Sequence, residues 1–441
     1  MRTYSALVEP LLDAKLRQAQ AGFELQRRMS FSDRAGQLLA AADLFEVEKD
    51  SLAALMTQEM GKPIAQARAE AAKCATACRF YAEHAEAMLA DEPVPHAEGH
   101  CHVRYEPLGP VLAIMPWNFP FWQVVRAAAP ALMAGNVVLL KHAPNVPECA
   151  LALEDVFRRA GLSLGAFQNL FLETDSIPAV IEDPRVAAVT LTGSVRAGRT
   201  VGALAGRCLK PCVLELGGND PFVVMPSAPL EATVAHAAKA RVQNNGQSCI
   251  AAKRFIVHEQ VYAEFEARYV EAFRRLRVGD PMLADTDVGP LVSARAVDDL
   301  EAQVRRAVKL GARILCGGQR RPGPGFFFEP TVLAGTPVSG DFAAEELFGP
   351  VAQLFRVADF DEAIQVANAT PYGLGASLWT QDSREQERGI RDLRAGQVFV
   401  NGVVASQPAL SFGGMRDSGL GRELGAPGLR AFVNAKSVSL A

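Results

Sequence analysis

The chain has 441 residues, too many for one hydrophobic core, so two or three domains are expected. Its residues are 49% hydrophobic and 21% charged with a net charge of −4, which gives no electrostatic basis for a nucleic-acid or membrane-surface partner. Glu9 and Asp13 interrupt the first twenty residues, and Pro116, Pro120, Arg126 and Pro130 interrupt the most apolar stretch, 111–134, so neither a secretory leader nor a membrane span is expected.

In chain order, residues 4–91 read as helices. Apolar side chains recur at three and four (Leu38, Leu39, Ala42), Ser32 is the expected N-cap, and Gly61-Lys62-Pro63 is a break. Residues 93–105 read as an edge strand or hairpin. It carries the one metal-like cluster, His96, His100, Cys101 and His102, but an exposed strand is the simpler account and no metal is expected. The eight cysteines are scattered without a Cys-x-x-Cys pair and read as reduced thiols of a cytoplasmic protein.

From Gly109 strands alternate with helices: strands 111–115, 137–141, 167–172, 186–191 and 212–216, helices 121–133, 148–160 and 196–207. This alternation implies a parallel sheet with helices on both faces, and such sheets bind ligands at the carboxyl ends of their strands. Four such ends carry Pro116-Trp117-Asn118, Lys141-His142-Ala143-Pro144, Thr192-Gly193-Ser194 and Glu215. A second α/β unit follows: helices 230–243, 260–275, 293–310, 360–369 and 383–394, and strands 252–258, 327–333, 351–356, 375–379 and 397–400. A glycine-rich run spans 412–423, and the last ten residues alternate as a strand.

Asn244-Asn245-Gly246-Gln247-Ser248-Cys249-Ile250 organises the whole. It sets one thiol behind a polar, glycine-containing turn whose backbone N–H groups can face whatever the sulfur attacks. With a carboxylate at Glu215 and a carboxamide donor at Asn118, it holds the parts needed to make and break a thioester.

Pro116-Trp117-Asn118-Phe119-Pro120, Leu214-Glu215-Leu216-Gly217-Gly218, Gly246-Gln247-Ser248-Cys249, Glu346-Leu347-Phe348-Gly349-Pro350 and Phe412-Gly413-Gly414 together resemble the aldehyde dehydrogenase superfamily, in its order and spacing. Gln247 to Arg254, Trp122 to Arg126 and Leu140 to Val146 look most like its shorter, NADP-linked succinate-semialdehyde dehydrogenases. The resemblance implies a Rossmann-like cofactor domain (1–91 and 108–218), an α/β catalytic domain (219–416) and oligomerisation strands (92–107 and 433–441) of a homodimer or homotetramer. It implies Cys249 as nucleophile, Asn118 as oxyanion donor and Glu215 as general base. Trp117, Asn118, Lys141, His142, Ala143, Pro144, Gly193, Ser194, Leu216, Gly218, Glu346 and Phe348 would meet NADP or NAD. Pro144 stands where NAD-preferring relatives often carry an acid, so Lys141 and His142 are expected to favour a 2′-phosphate. Arg126, with Phe121 and Phe412, would meet the substrate; a guanidinium facing the tunnel suits a carboxylate.

Overall fold

The computed structural model describes residues 4–95 and 99–440. Four helices open the chain: Glu9–Gln26, Phe31–Val47, Lys49–Met60 and Ile64–Met88. The second is capped by Ser30, not Ser32, because the Ser30 hydroxyl accepts from the Asp33 N–H two residues earlier than expected. The break at Gly61 is real: its φ of 80° ends the third helix in the left-handed region.

Two large sheets and one small one follow. In the first, strands Pro110–Met115, Val137–His142, Phe167–Asn169, Ala188–Thr192 and Cys212–Glu215 run parallel. Their register sets Met115 beside His142 and Thr192 beside Glu215. The four polar strand ends therefore share one edge. The helices of the first 88 residues, with Trp122–Met133 and Pro147–Arg159, pack with this sheet into one apolar cluster.

The second sheet runs in the order 313–316, 331–334, 351–357, 254–258, 221–224, 375–379, 397–400. It is parallel except at its first pair. Phe222 and Val224 feed one buried cluster while Val223 and Met225 feed another. A strand apolar on both faces shows no alternation, which is why Pro221–Val224 escapes pattern reading. Arg313–Cys316 escapes for the opposite reason, being a short, half-exposed edge.

The expected hairpin and the terminal strand are partners. His100–Pro107 pairs antiparallel with Val433–Leu440 over eight residues, with Glu92–Pro93 on its other side. His96 lies outside the described residues. His100 and His102 fall on one face of the strand and Cys101 on the other, and His102 sits 3.4 Å from Asp91. All eight cysteines are unbridged. Among the described residues no helix is long and apolar enough to cross a membrane.

The glycine-rich run returns to the first sheet. Gly419 and Leu420 pair antiparallel with Glu215 and Leu214, which completes the edge beside Glu215. Gly419 has φ 140°, and a Cβ there would lie 1.9 Å from the Leu214 carbonyl oxygen. Gly419→Ala should therefore force this edge apart and cost about 2–4 kcal/mol. Thermal melting of variant and parent checks it; an unchanged Tm would show that the edge gives way freely.

Candidate active site

The Cys249 loop leaves the helix Leu230–Val242 through two consecutive left-handed residues, Asn244 (φ 53°) and Asn245 (φ 58°). Asparagine tolerates that region better than most residues, and here each side chain also works. Asn244 Nδ2 donates to the Asn118 carbonyl (2.6 Å) and the Gln247 carbonyl (3.0 Å). Asn245 Nδ2 donates to the carbonyls of Gly61 and Pro290, both at 2.9 Å, and its Oδ1 accepts from the Gly289 N–H (2.7 Å). Gly246, at φ 73°, packs where a Cβ would lie 2.3 Å from Gly349. Below the loop, Arg241 donates to the Gly246 and Ala252 carbonyls. Lys253 donates to the Ser248 and Cys249 carbonyls at 2.9 and 2.5 Å. Arg241 and Lys253 were not singled out by sequence reasoning, because nothing in the sequence marks a buried cation as a backbone clamp.

Cys249 forms part of the wall of two cavities. One, of about 270 Å³, is lined by Trp117, Asn118, Gln123, Thr192, Gly193, Ser194, Leu216, Gly217, Glu346 and Phe348 among others. The other, of about 80 Å³, is lined by Lys73, Phe119, Trp122, Gln123, Arg126, Ser406 and Phe412 among others. Asn118 Nδ2 donates one hydrogen to the Gln247 carbonyl at 3.1 Å, which fixes the amide and leaves its second hydrogen for a ligand. Burial pushes the Cys249 thiol up to about 12, with Arg126 and then Lys253 pulling the other way.

Glu215 is the third expected part, and it stands back from both cavities. Its carboxyl packs against Gly413, and among the described residues neither oxygen has a hydrogen-bond partner. Burial and then the neighbouring Glu423 raise its pKa well above the carboxylate range, against Arg126 and Arg422.

The larger cavity suits a dinucleotide. Ser194 caps the 13-residue helix Val195–Arg207 by accepting from the Ala197 N–H, so the helix N-terminus and its partial positive charge open beside the cleft. Gly198 lies so close to Leu216 that a Cβ would sit 2.4 Å from it, and Gly217 leaves room for Glu346, whose Oε1 is 3.0 Å from Lys253 Nζ. Trp117 and Phe348 meet edge to face at 6.0 Å. Gln123 is the lining residue that sequence reasoning missed, hidden in an apolar helix.

Several expected positions are elsewhere. Gly218 does not face the cleft; a Cβ there would lie 2.6 Å from the Cys249 carbonyl oxygen, so it admits the nucleophile loop. His142 is buried. Its Nε2 bonds the Pro120 carbonyl (2.9 Å) and its Nδ1 accepts from the Ala143 N–H. Burial lowers its pKa to about 4, so it is neutral and adds no charge for a phosphate. Lys141, Ala143 and Pro144 follow the same strand end without lining the cleft. Burial lowers the Lys141 pKa, and Glu173, an acid sequence reasoning had not placed there, raises it. Phe121 is fully buried and meets Phe45 edge to face, because Glu70 holds the Phe121 and Trp122 N–H groups and turns the ring into the helical layer. Phe412 lines the smaller cavity as expected. Arg126 reaches that cavity too, but it is ion-paired to buried Glu423, donates to Thr192 Oγ1 (3.3 Å) and lies 4.5 Å from the Phe412 ring.

A sequence model of the aldehyde dehydrogenase family matches residues 3–438. The NADP(+) succinate-semialdehyde dehydrogenase 1 of Mycobacterium tuberculosis (strain H37Rv) is 54% identical over 446 residues, covering 100% of this chain and 97% of that protein. The NADP(+) succinate-semialdehyde dehydrogenase of Mycobacterium avium (strain 104) is 52% identical, covering 99% and 94%. The crystal structure of succinic semialdehyde dehydrogenase from Streptococcus pyogenes, in complex with NADP+ as the cofactor, superposes with a TM-score of 0.97 at 34% identity, covering 100% of this chain and 97% of that one.

Because the thiol pKa is raised, the thiolate fraction of the cofactor-free protein grows with pH. Alkylation of Cys249 by iodoacetamide should climb through pH 10 without levelling; a plateau near neutrality would contradict this environment. Arg126→Met should leave Glu423 buried without its partner and destabilise the protein by about 3–5 kcal/mol. Adding Glu423→Gln should recover part of that loss in a denaturant titration.

Proposed function

This chain belongs to the aldehyde dehydrogenase family, and we propose that it oxidises succinate semialdehyde to succinate with NADP as the preferred hydride acceptor. The observation that carries the reading is Cys249 in the common wall of two cavities, one shaped for a dinucleotide and one lined by cations and aromatic rings. Glutarate semialdehyde or another aliphatic aldehyde is the alternative substrate on the same scaffold, since Phe119, Trp122 and Phe412 also suit an uncharged chain.

Cys249 gives up its thiol proton to water and attacks the aldehyde carbon as thiolate, and the free Asn118 N–H with the Cys249 backbone N–H receives the oxyanion. Each such donor contributes roughly 3–4 kcal/mol in comparable sites. A bound nicotinamide supplies the acceptor for the hydride that leaves, so that Cys249 is left carrying a thioester. Glu215 then takes a proton from the hydrolytic water. To do so it must be ionised and turn from Gly413 toward the sulfur; among the described residues no hydrogen bond to its oxygens has to be broken for that turn.

Trp117, Gly193, Ser194, Leu216, Glu346 and Phe348 would hold the cofactor, with Lys141 near the adenosine end. The fit rests on the helix N-terminus at Ser194 and the side-chain-free Gly217. Pro144 brings no negative charge, which supports NADP, whereas Glu173 beside Lys141 works against it. We assign residues 1–91 and 108–218 to the cofactor domain, 219–416 to the catalytic domain, and 92–107 with 433–441 to assembly of a cytoplasmic homodimer or homotetramer. Val433–Leu440 is an edge strand with half of its pairing capacity open, the usual place for a second subunit to join.

The test is kcat/KM for succinate semialdehyde, glutarate semialdehyde and butanal with each cofactor. Succinate semialdehyde with NADP should rank first, and Cys249→Ser should lose at least 1000-fold in kcat. A strong preference for NAD, or for butanal, would overturn the corresponding half of the proposal.

A further inference from the structure

The smaller cavity shares part of its wall with a much larger one. A hollow of about 600 Å³ is lined by Gln66, Glu70, Lys239, Asp285 and other residues of the first and second α/β units. Lys73, Phe119 and Trp122 belong to the walls of both. An aldehyde entering by this route passes between the two rings and beside the Lys73 ammonium before it reaches Cys249.

Two cations border the inner cavity, and they differ in one respect. Arg126 is paired to Glu423. Lys73 has no carboxylate partner among the described residues. Its Nζ donates to Ser406 Oγ (2.7 Å) and lies 4.1 Å from the centre of the Trp122 ring. Trp122 Nε1 donates to the same Ser406 oxygen (2.9 Å). Two donors on one hydroxyl oxygen fix the ammonium against the wall, yet use only one of its three hydrogens. Burial, then Arg126, lowers the Lys73 pKa to about 8, so the side chain is charged at neutral pH. The ammonium is half-buried, and Glu70, itself ion-paired to Lys62, is the carboxylate that acts on it from beyond ion-pair distance, so an incoming anion at the two free hydrogens is favoured.

We propose that Lys73 is the specificity-determining residue for a terminal carboxylate on the aldehyde substrate. The inference rests on the aldehyde-oxidising reading of Cys249 and deepens it. The carboxylate end takes the two free hydrogens of the ammonium at the junction of the cavities while the aldehyde end lies at the sulfur. Arg126 keeps its pairing with Glu423 and supplies only its field. The distance from Cys249 to Lys73 then selects chain length, and a chain without a charged end forgoes the contact.

Lys73→Met keeps the length and the apolar stem, so the wall and the Trp122 contact are largely retained. It should raise KM for succinate semialdehyde at least tenfold more than KM for butanal, with kcat for both moving less than threefold. Lys73→Arg should restore most of the lost discrimination, which a structural role in packing would not require. The Ki of succinate against butanal should rise in parallel in Lys73→Met. Equal changes in KM for the charged and uncharged aldehydes, or an unaltered succinate Ki, would overturn the assignment. Failure of the oxidation reading shows separately, as a parent protein that turns over neither aldehyde.

Discussion

Asn244 and Asn245 hold two successive residues of the main chain in a conformation that L-amino acids adopt reluctantly, and the geometry of the site follows from that constraint. The turn can persist only because its surroundings over-determine it. The amides of both asparagines, the guanidinium of Arg241 and the ammonium of Lys253 answer the carbonyls that the left-handed turn and its neighbours would otherwise bury unpaired. The same bonds reach out to Gly61, Pro290 and Asn118. The Cys249 loop is thus tied to the break between the third and fourth helices and to the turn that carries Asn118. Sulfur and carboxamide share one anchor.

The electrostatic setting is built on burial. Loss of solvent raises the pKa of both Cys249 and Glu215, and the cations near them, Arg126 first, offset this only in part. The Arg126–Glu423 pair lies next to both groups. Glu423 raises the Glu215 pKa, Arg126 lowers it, and the two charges arrive together from helix Trp122–Met133 and the glycine-rich run.

The sequence made much of this readable because chemistry and fold use the same positions. Alternation of strands and helices located four strand ends, and parallel pairing put them on one edge. Cys249, Asn118, Gly193, Ser194, Glu346 and Phe348 line one cavity. What stayed hidden depends on side-chain direction. Phe121 and Trp122 are adjacent in sequence, yet Glu70 fixes their N–H groups so that one ring enters the core and the other the tunnel. Gly217 and Gly218 read alike, yet one makes room at the cofactor cleft and the other at the nucleophile loop. His142 looked like a cation, but depth in the protein removed its charge. Arg126 was expected to meet a substrate carboxylate, and the carboxylate that it meets, Glu423, lies almost 300 residues later in the chain.

The antiparallel pairing of Gly419 and Leu420 with Glu215 and Leu214 also bears on the order in which the protein matures. A chain emerging from the ribosome can assemble its parallel strands, its helices and even the nucleophile turn long before residue 419 exists. Until that last segment arrives, the edge bearing Glu215 is open to water and lacks Glu423 beside it. Contacts so distant in sequence form late. The edge at Glu215 is therefore closed only once roughly 200 further residues have been added to the chain.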